Sequence, residues 1–166
     1  PPRWALGYHQ CRWGYKTEAD IREVLAGFQE HDLPLSAIHF DIDYMDRYRV
    51  FTVDEEAFPD LPGLLGDLEA AGVKGVTIID PGVAKADDFP LYREGHDKGY
   101  FLTLADGTEA NAMVWPGMVG FPDFSNPAVD VNIAVGDEQL ASSHDFSLKA
   151  GAKVKIHVEV TIDPDR

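Results

Sequence analysis

Side chains able to do chemistry gather at three places, each just after a short apolar run. His9, Gln10, Arg12 and Trp13 follow the first; His39, Asp41, Asp43, Tyr44, Met45 and Asp46 sit in or after the second; Asp80 closes the third. In parallel α/β folds ligands collect at the carboxyl ends of strands, where residues from separate strands converge. Asp41 and Asp43 would share one face of a strand, with Ile42 on the other, provided the strand extends that far. Carboxylates accept hydrogen bonds from sugar hydroxyls while an aromatic ring stacks on the apolar face of a sugar, so a saccharide is one ligand this set suits. His9 and His39 beside Asp41, Asp43 and Asp80 also allow a hydrolytic zinc or manganese centre, although the spacing matches no compact metal signature. Helix capping and loop hydrogen bonding are the plain structural use of the same acids.

The elements that must position these groups follow from periodicity. The run from Trp4 to His9 reads as a buried strand, and Thr17 can cap a helix whose Ile21, Val24, Leu25 and Phe28 form one stripe. Pro34 ends that helix, and residues 37–43 make a second strand. Asp60 and Pro62 open another helix with Leu64, Leu65, Leu68 and Ala71 on one face and Gly72 at its end; residues 73–79 are a third, β-branched strand. Alternating strands and helices predict right-handed βαβ units and a parallel sheet with both helices on one side. Beyond Pro81 the pattern changes. Residues 100–104 and 111–115 flank Asp106-Gly107 like a hairpin, and the aromatic and proline density from Trp115 to Phe124 reads as an ordered loop. Residues 129–135 and 154–162 alternate apolar with polar, the mark of antiparallel strands with one wet face.

Composition limits the partners. The 166 residues are 45% hydrophobic and 26% charged, as in ordinary globular domains. Lys+Arg 14 against Asp+Glu 29 leaves a net charge of -15, a surface that repels nucleic-acid phosphates and anionic lipid head groups. No stretch approaches the ~20 apolar residues of a spanning helix. A single cysteine, Cys11, allows no internal disulfide, leaves the compartment open, and reads as a buried structural thiol. No cofactor is indicated. Pro1-Pro2-Arg3-Trp4 carries no targeting pattern, and a start so close to an apolar run is expected to have been cut from something longer or processed.

Several motifs then carry a family resemblance. Pro2 through Tyr15 (PRWALGYHQCRWGY), Asp41-Ile42-Asp43-Tyr44-Met45-Asp46, Phe51-Thr52, Thr77-Ile78-Ile79-Asp80-Pro81-Gly82, Val114-Trp115-Pro116-Gly117 and Phe121-Pro122-Asp123-Phe124 together resemble glycoside hydrolase family 31, the α-glucosidases. The resemblance spans residues 1–127 and implies the first part of a (β/α)₈ barrel with a retaining mechanism. It implies that Asp41 binds hydroxyls of the glucose in the −1 subsite and that Ile42 lines it. Trp13 would be an aromatic wall, Ile79 and Asp80 a further edge, and Trp115 a stacking platform.

The family's nucleophile motif, of the type Trp-x-Asp-Met-Asn-Glu, and the later acid/base aspartate do not occur in these residues. Retaining hydrolysis needs two carboxyl groups ~5 Å apart, so glucose binding without hydrolysis is the expectation. A complete barrel takes ~250 residues, which agrees with a barrel fragment. The fold class expected is therefore α/β: a partial (β/α) barrel over residues 1–127, followed by an antiparallel β tail over residues 128–166. Two alternatives stand beside it: an engineered or shuffled chimera with no ligand, and a hydrolase with a new, metal-assisted site at His39, Asp41, Asp43 and Asp80. An α-glucoside or glucose is the expected ligand, and a homodimer through the open sheet edge the expected assembly.

Overall fold

In a computed structural model, residues 2–126 and 129 are described, together with the backbone of residues 145–148 and 152–155. The strands are β1 (His9–Gln10), β2 (Ala37–Phe40), β3 (Lys74–Thr77), β4 (Val83–Ala84), β5 (Asn111–Val114), β6 (Gly117–Gly120), β7 (Asp145–Leu148) and β8 (Ala152–Lys155). The α-helices are α1 (Glu18–Glu30), α2 (Leu61–Ala70) and α3 (Pro90–Asp97). Three sheets form, with orders β1-β2-β3, β4-β6-β5 and β7-β8. The chain divides into two compact units, one of Pro1–Ala84 with Met113–Gly117, the other of Lys85–Ala112 with Met118–Arg166.

The first unit is the expected parallel sheet. His9 pairs with Ala37, and Ala37 through Phe40 pair with Lys74 through Thr77, all parallel. Helix α1 starts on a capping box: the Thr17 hydroxyl accepts from the Asp20 N–H, and the Asp20 carboxylate accepts from the Thr17 N–H. Helix α2 starts on Asp60, whose carboxylate accepts from the Gly63 N–H. Ile21 of α1 and Leu61, Leu64 and Leu68 of α2 join Ile38, Phe40 and Phe58 in one apolar core, so both helices cover the face of β2 that carries Ile38 and Phe40. Arg22 of α1 bonds Asp67 of α2 at 2.7 Å across the helix surfaces.

The first two strands are shorter than the sequence predicts. Residues 3–6 form a 3₁₀ turn, not a strand, closed by hydrogen bonds from the Ala5 N–H to the Pro2 carbonyl and from the Gly7 N–H to the Trp4 carbonyl. Pro2 fixes φ at -64°, and these local bonds replace a ladder; Leu6 is left 76% exposed. Gly7 is required because a Cβ there would lie 1.9 Å from the Ser36 hydroxyl. Strand β2 stops at Phe40: Asp41 caps a 3₁₀ turn over Ile42–Tyr44, so Asp41 and Asp43 do not share a strand face. Cys11, expected to be buried, lies past the end of β1 in the following loop and is exposed.

In the second unit α3 went unforeseen. It has Pro at its first turn but no side-chain cap, and buries only Tyr92 and Gly95, too little to leave a stripe in the sequence. Tyr92 stacks on Phe101 with centroids 5.4 Å apart. The Glu109 carboxylate accepts from the Tyr92 hydroxyl at 3.0 Å and pairs with Lys85 and His96, tying α3 to the segment that follows it. The Asp106-Gly107 turn forms as expected, bridged by Thr103 and Glu109, but residues 111–114 then pair with β6 across a tight Trp115-Pro116 turn. Strands β7 and β8 pair antiparallel, Asp145 opposite Lys155. The strands expected at 129–135 and 154–162 lie outside the described residues except for Val129, Val154 and Lys155.

Leu68 is fully buried and Leu6 is not, so truncating them should cost very different amounts. Leu68→Ala is expected to lower the unfolding free energy by about 2–5 kcal/mol. Leu6→Ala should change it by less than about 0.5 kcal/mol. Urea denaturation of the two variants checks this, and equal losses would restore a buried first strand.

Candidate functional site

Parallel pairing puts the loops after β1, β2 and β3 at one end of the sheet. Within the first unit, Trp13 from the first loop, Asp41 and Ile42 from the second, Ile78 after the third and Trp115 from the hairpin tip line a cavity of about 310 Å³. Four of the expected site residues are thus brought together. Ile79 and Asp80 are not among the lining residues. Ile78, which the sequence reading passed over, takes that place because β3 ends at Thr77 and the next residue turns inward. The signal that could have found it was register: one residue of slip moves every later side chain to the other face.

The walls are mostly apolar. The indoles of Trp13 and Trp115 are 63% and 67% exposed, open to a ligand, while Ile42 is buried at the base. Asp41 supplies the carboxylate. Its Oδ1 accepts from the Ile42 N–H at 2.7 Å, which fixes the side chain and leaves Oδ2 available. Tyr44 donates its phenol to the Ile78 carbonyl at 2.9 Å, and burial raises its pKa above the ordinary value of 10.0, so it stays a protonated donor. Asp80 Oδ1 accepts from the Gly82 N–H and shapes the turn beyond. Asp43 carries one buried carboxylate oxygen with no hydrogen-bond partner.

The imidazoles meet each other. His9 Nδ1 and His39 Nε2 are 3.0 Å apart, and His9 Nε2 faces the Trp4 carbonyl at 3.2 Å. A carbonyl only accepts, so His9 carries its proton on Nε2 and its Nδ1 accepts from His39. Among the described residues no group of three or more His, Cys, Asp or Glu is placed to hold a metal ion, which removes the geometric support for a centre at His39, Asp41, Asp43 and Asp80. No helix among them is long and apolar enough to cross a membrane.

A parallel β/α sheet whose following loops gather at one end is the arrangement of the first strands of a (β/α)₈ barrel. The chain belongs to glycoside hydrolase family 31: the model of the Glycosyl hydrolases family 31 TIM-barrel domain matches residues 1–144, past Pro127 where the sequence resemblance stops. It is 46% identical over 129 residues to Alpha-glucosidase 2 of Bacillus thermoamyloliquefaciens, covering 78% of this chain and 16% of that protein. A crystal structure of the glucosidase II alpha subunit bound to alpha3-Glc2 superposes with a TM-score of 0.74 at 37% identity, covering 77% of this chain and 14% of that one. The same scores hold for that subunit in a heterodimeric complex with the binding domain of its regulatory subunit. The chain therefore spans about one-sixth of the length of that bacterial relative.

Burial, and secondarily the neighbouring His9, hold the His39 imidazole below its ordinary value of 6.5. The unfolded chain then binds the His39 proton at higher pH than the folded one, so this contribution to stability is present above about pH 6.5 and is lost as pH falls below it. Urea unfolding at about pH 7.5 and about pH 5.5 should show wild type losing more stability on acidification than His39→Gln. Equal losses would exclude the pair as the source.

Proposed function

We propose that the chain supplies one side of the glucose-binding site of a family 31 α-glucosidase barrel. Asp41 accepts hydrogen bonds from sugar hydroxyls, Trp13 and Trp115 stack on the ring, and Ile42 with Ile78 provides the apolar base. Ile79 and Asp80 form an outer edge. The observation that carries this reading is the convergence of Trp13, Asp41, Ile42, Ile78 and Trp115 on one cavity. Its indole and aliphatic lining with a single carboxylate suits a neutral polyol.

Hydrolysis is assigned elsewhere in the barrel. A retaining glycosidase needs a nucleophile and an acid ~5 Å apart across the scissile bond, and the cavity is lined by one carboxylate, Asp41. The chain by itself thus binds an α-glucoside weakly and does not turn it over. A β-rich tail over residues 128–166, of which the family match takes in 128–144, and pairing through the sheet edge to a homodimer belong to the same proposal.

Saturation-transfer NMR with glucose and maltose should show transfer to both sugars, reduced about tenfold or more in affinity by Asp41→Asn, since a carboxylate acceptor is replaced by an amide. A chromogenic α-glucoside should give no turnover above background. Absence of transfer, or turnover that Asp41→Asn abolishes, would overturn the reading. Sedimentation equilibrium giving the mass of one chain would remove the homodimer.

A further inference from the structure

The loop that presents Trp13 is tied to the core by Tyr15 alone of its residues 11–15. A second cavity, about 300 Å³, is lined by Arg12, Gly14 and Tyr15 of this loop and by Asp20, Glu23 and Val24 of α1. The residues on both sides of Trp13 thus border open space where a core would supply close contacts. Gly14 sits at φ +106°, a conformation only glycine adopts freely, so the backbone beside the indole is also the least restrained kind.

What holds the loop is a chain of polar contacts ending on Arg12. The Tyr8 hydroxyl donates to Gln10 Oε1 at 2.9 Å, and Gln10 Nε2 donates to the Tyr15 hydroxyl at 2.7 Å, anchoring the buried Tyr15 ring to β1. The Arg12 guanidinium lies 5.7 Å from the centre of that ring, and its Nε donates to the Trp13 carbonyl at 3.2 Å. We propose that Arg12 is a positioning residue, bracing the loop from the Tyr15 ring so that the Trp13 indole stands in the wall of the glucose cavity. The proposal deepens the glucose-binding reading above and rests on it for the consequence in affinity. Lysine cannot substitute, because it lacks both the planar face and the Nε–H that serve the two contacts at once.

The test uses the full chain labelled with 5-fluorotryptophan, its Trp13 resonance assigned with Trp13→Phe. In Arg12→Ala the Trp13 fluorine resonance should shift or broaden while those of Trp4 and Trp115 hold, with the thermal midpoint unchanged. Glucose affinity should fall about fivefold to tenfold, the size of one exposed cation–π contact plus one hydrogen bond. Arg12→Lys should restore neither the resonance nor the affinity. An unmoved Trp13 resonance in Arg12→Ala, full rescue by lysine, or a joint shift of all three resonances with a lowered midpoint would overturn the proposal. If wild type binds no glucose, the glucose-site reading fails, and the fluorine spectrum still decides whether Arg12 positions Trp13.

Discussion

Everything at the candidate site depends on strand β2 being held on both edges and closed on one face. It pairs with β1 on one side and β3 on the other, and its Ile38 and Phe40 are shut into the core under α1 and α2. A slip of one residue would turn Ile38 and Phe40 out and His39 in, so the register has one stable solution. Because all three strands run parallel, their carboxyl ends lie together. The loops bearing Trp13, Asp41 with Ile42, and Ile78 are brought to one place by that single constraint.

The turn after β2 converts this register into chemistry. Ending the strand at Phe40 lets Asp41 leave the sheet and cap the next turn with one oxygen, while the residue itself lines the cavity. Three residues on from Asp41, Tyr44 reaches the carbonyl of Ile78, so the segment after β2 and the segment after β3 are tied by a donor that burial keeps protonated. Rigid placement of a small number of polar atoms on an apolar wall is what a saccharide site needs. In the loop after β1 the core contact is Tyr15, on whose ring the Arg12 guanidinium rests.

His9 and His39 stand on neighbouring strands, where a metal could be imagined, yet each occupies the other's free nitrogen. Their mutual hydrogen bond, with the Trp4 carbonyl as its far acceptor, occupies both nitrogens of His9 and Nε2 of His39. The cavity's indoles and isoleucines are no better suited to one, since divalent cations bind where oxygen and nitrogen donors cluster.

By itself the sequence determined the elements that announce themselves locally. Thr17 with Asp20, and Asp60 with Pro62, marked helix starts, because caps satisfy amide groups within one turn and leave their residue types in the chain. The motifs around Trp13, Asp41 and Trp115 named the family and most of the cavity wall. What needed the tertiary structure was where strands stop and which neighbour they choose. Trp4 to His9 reads as a strand until local bonds close a 3₁₀ turn over Arg3–Leu6; Asp43 reads as Asp41's partner until Phe40 ends the ladder; Ile78 stays unmarked until β3 stops at Thr77. Strand ends are set by hydrogen-bond partners from distant parts of the chain, and no local pattern of side chains encodes them.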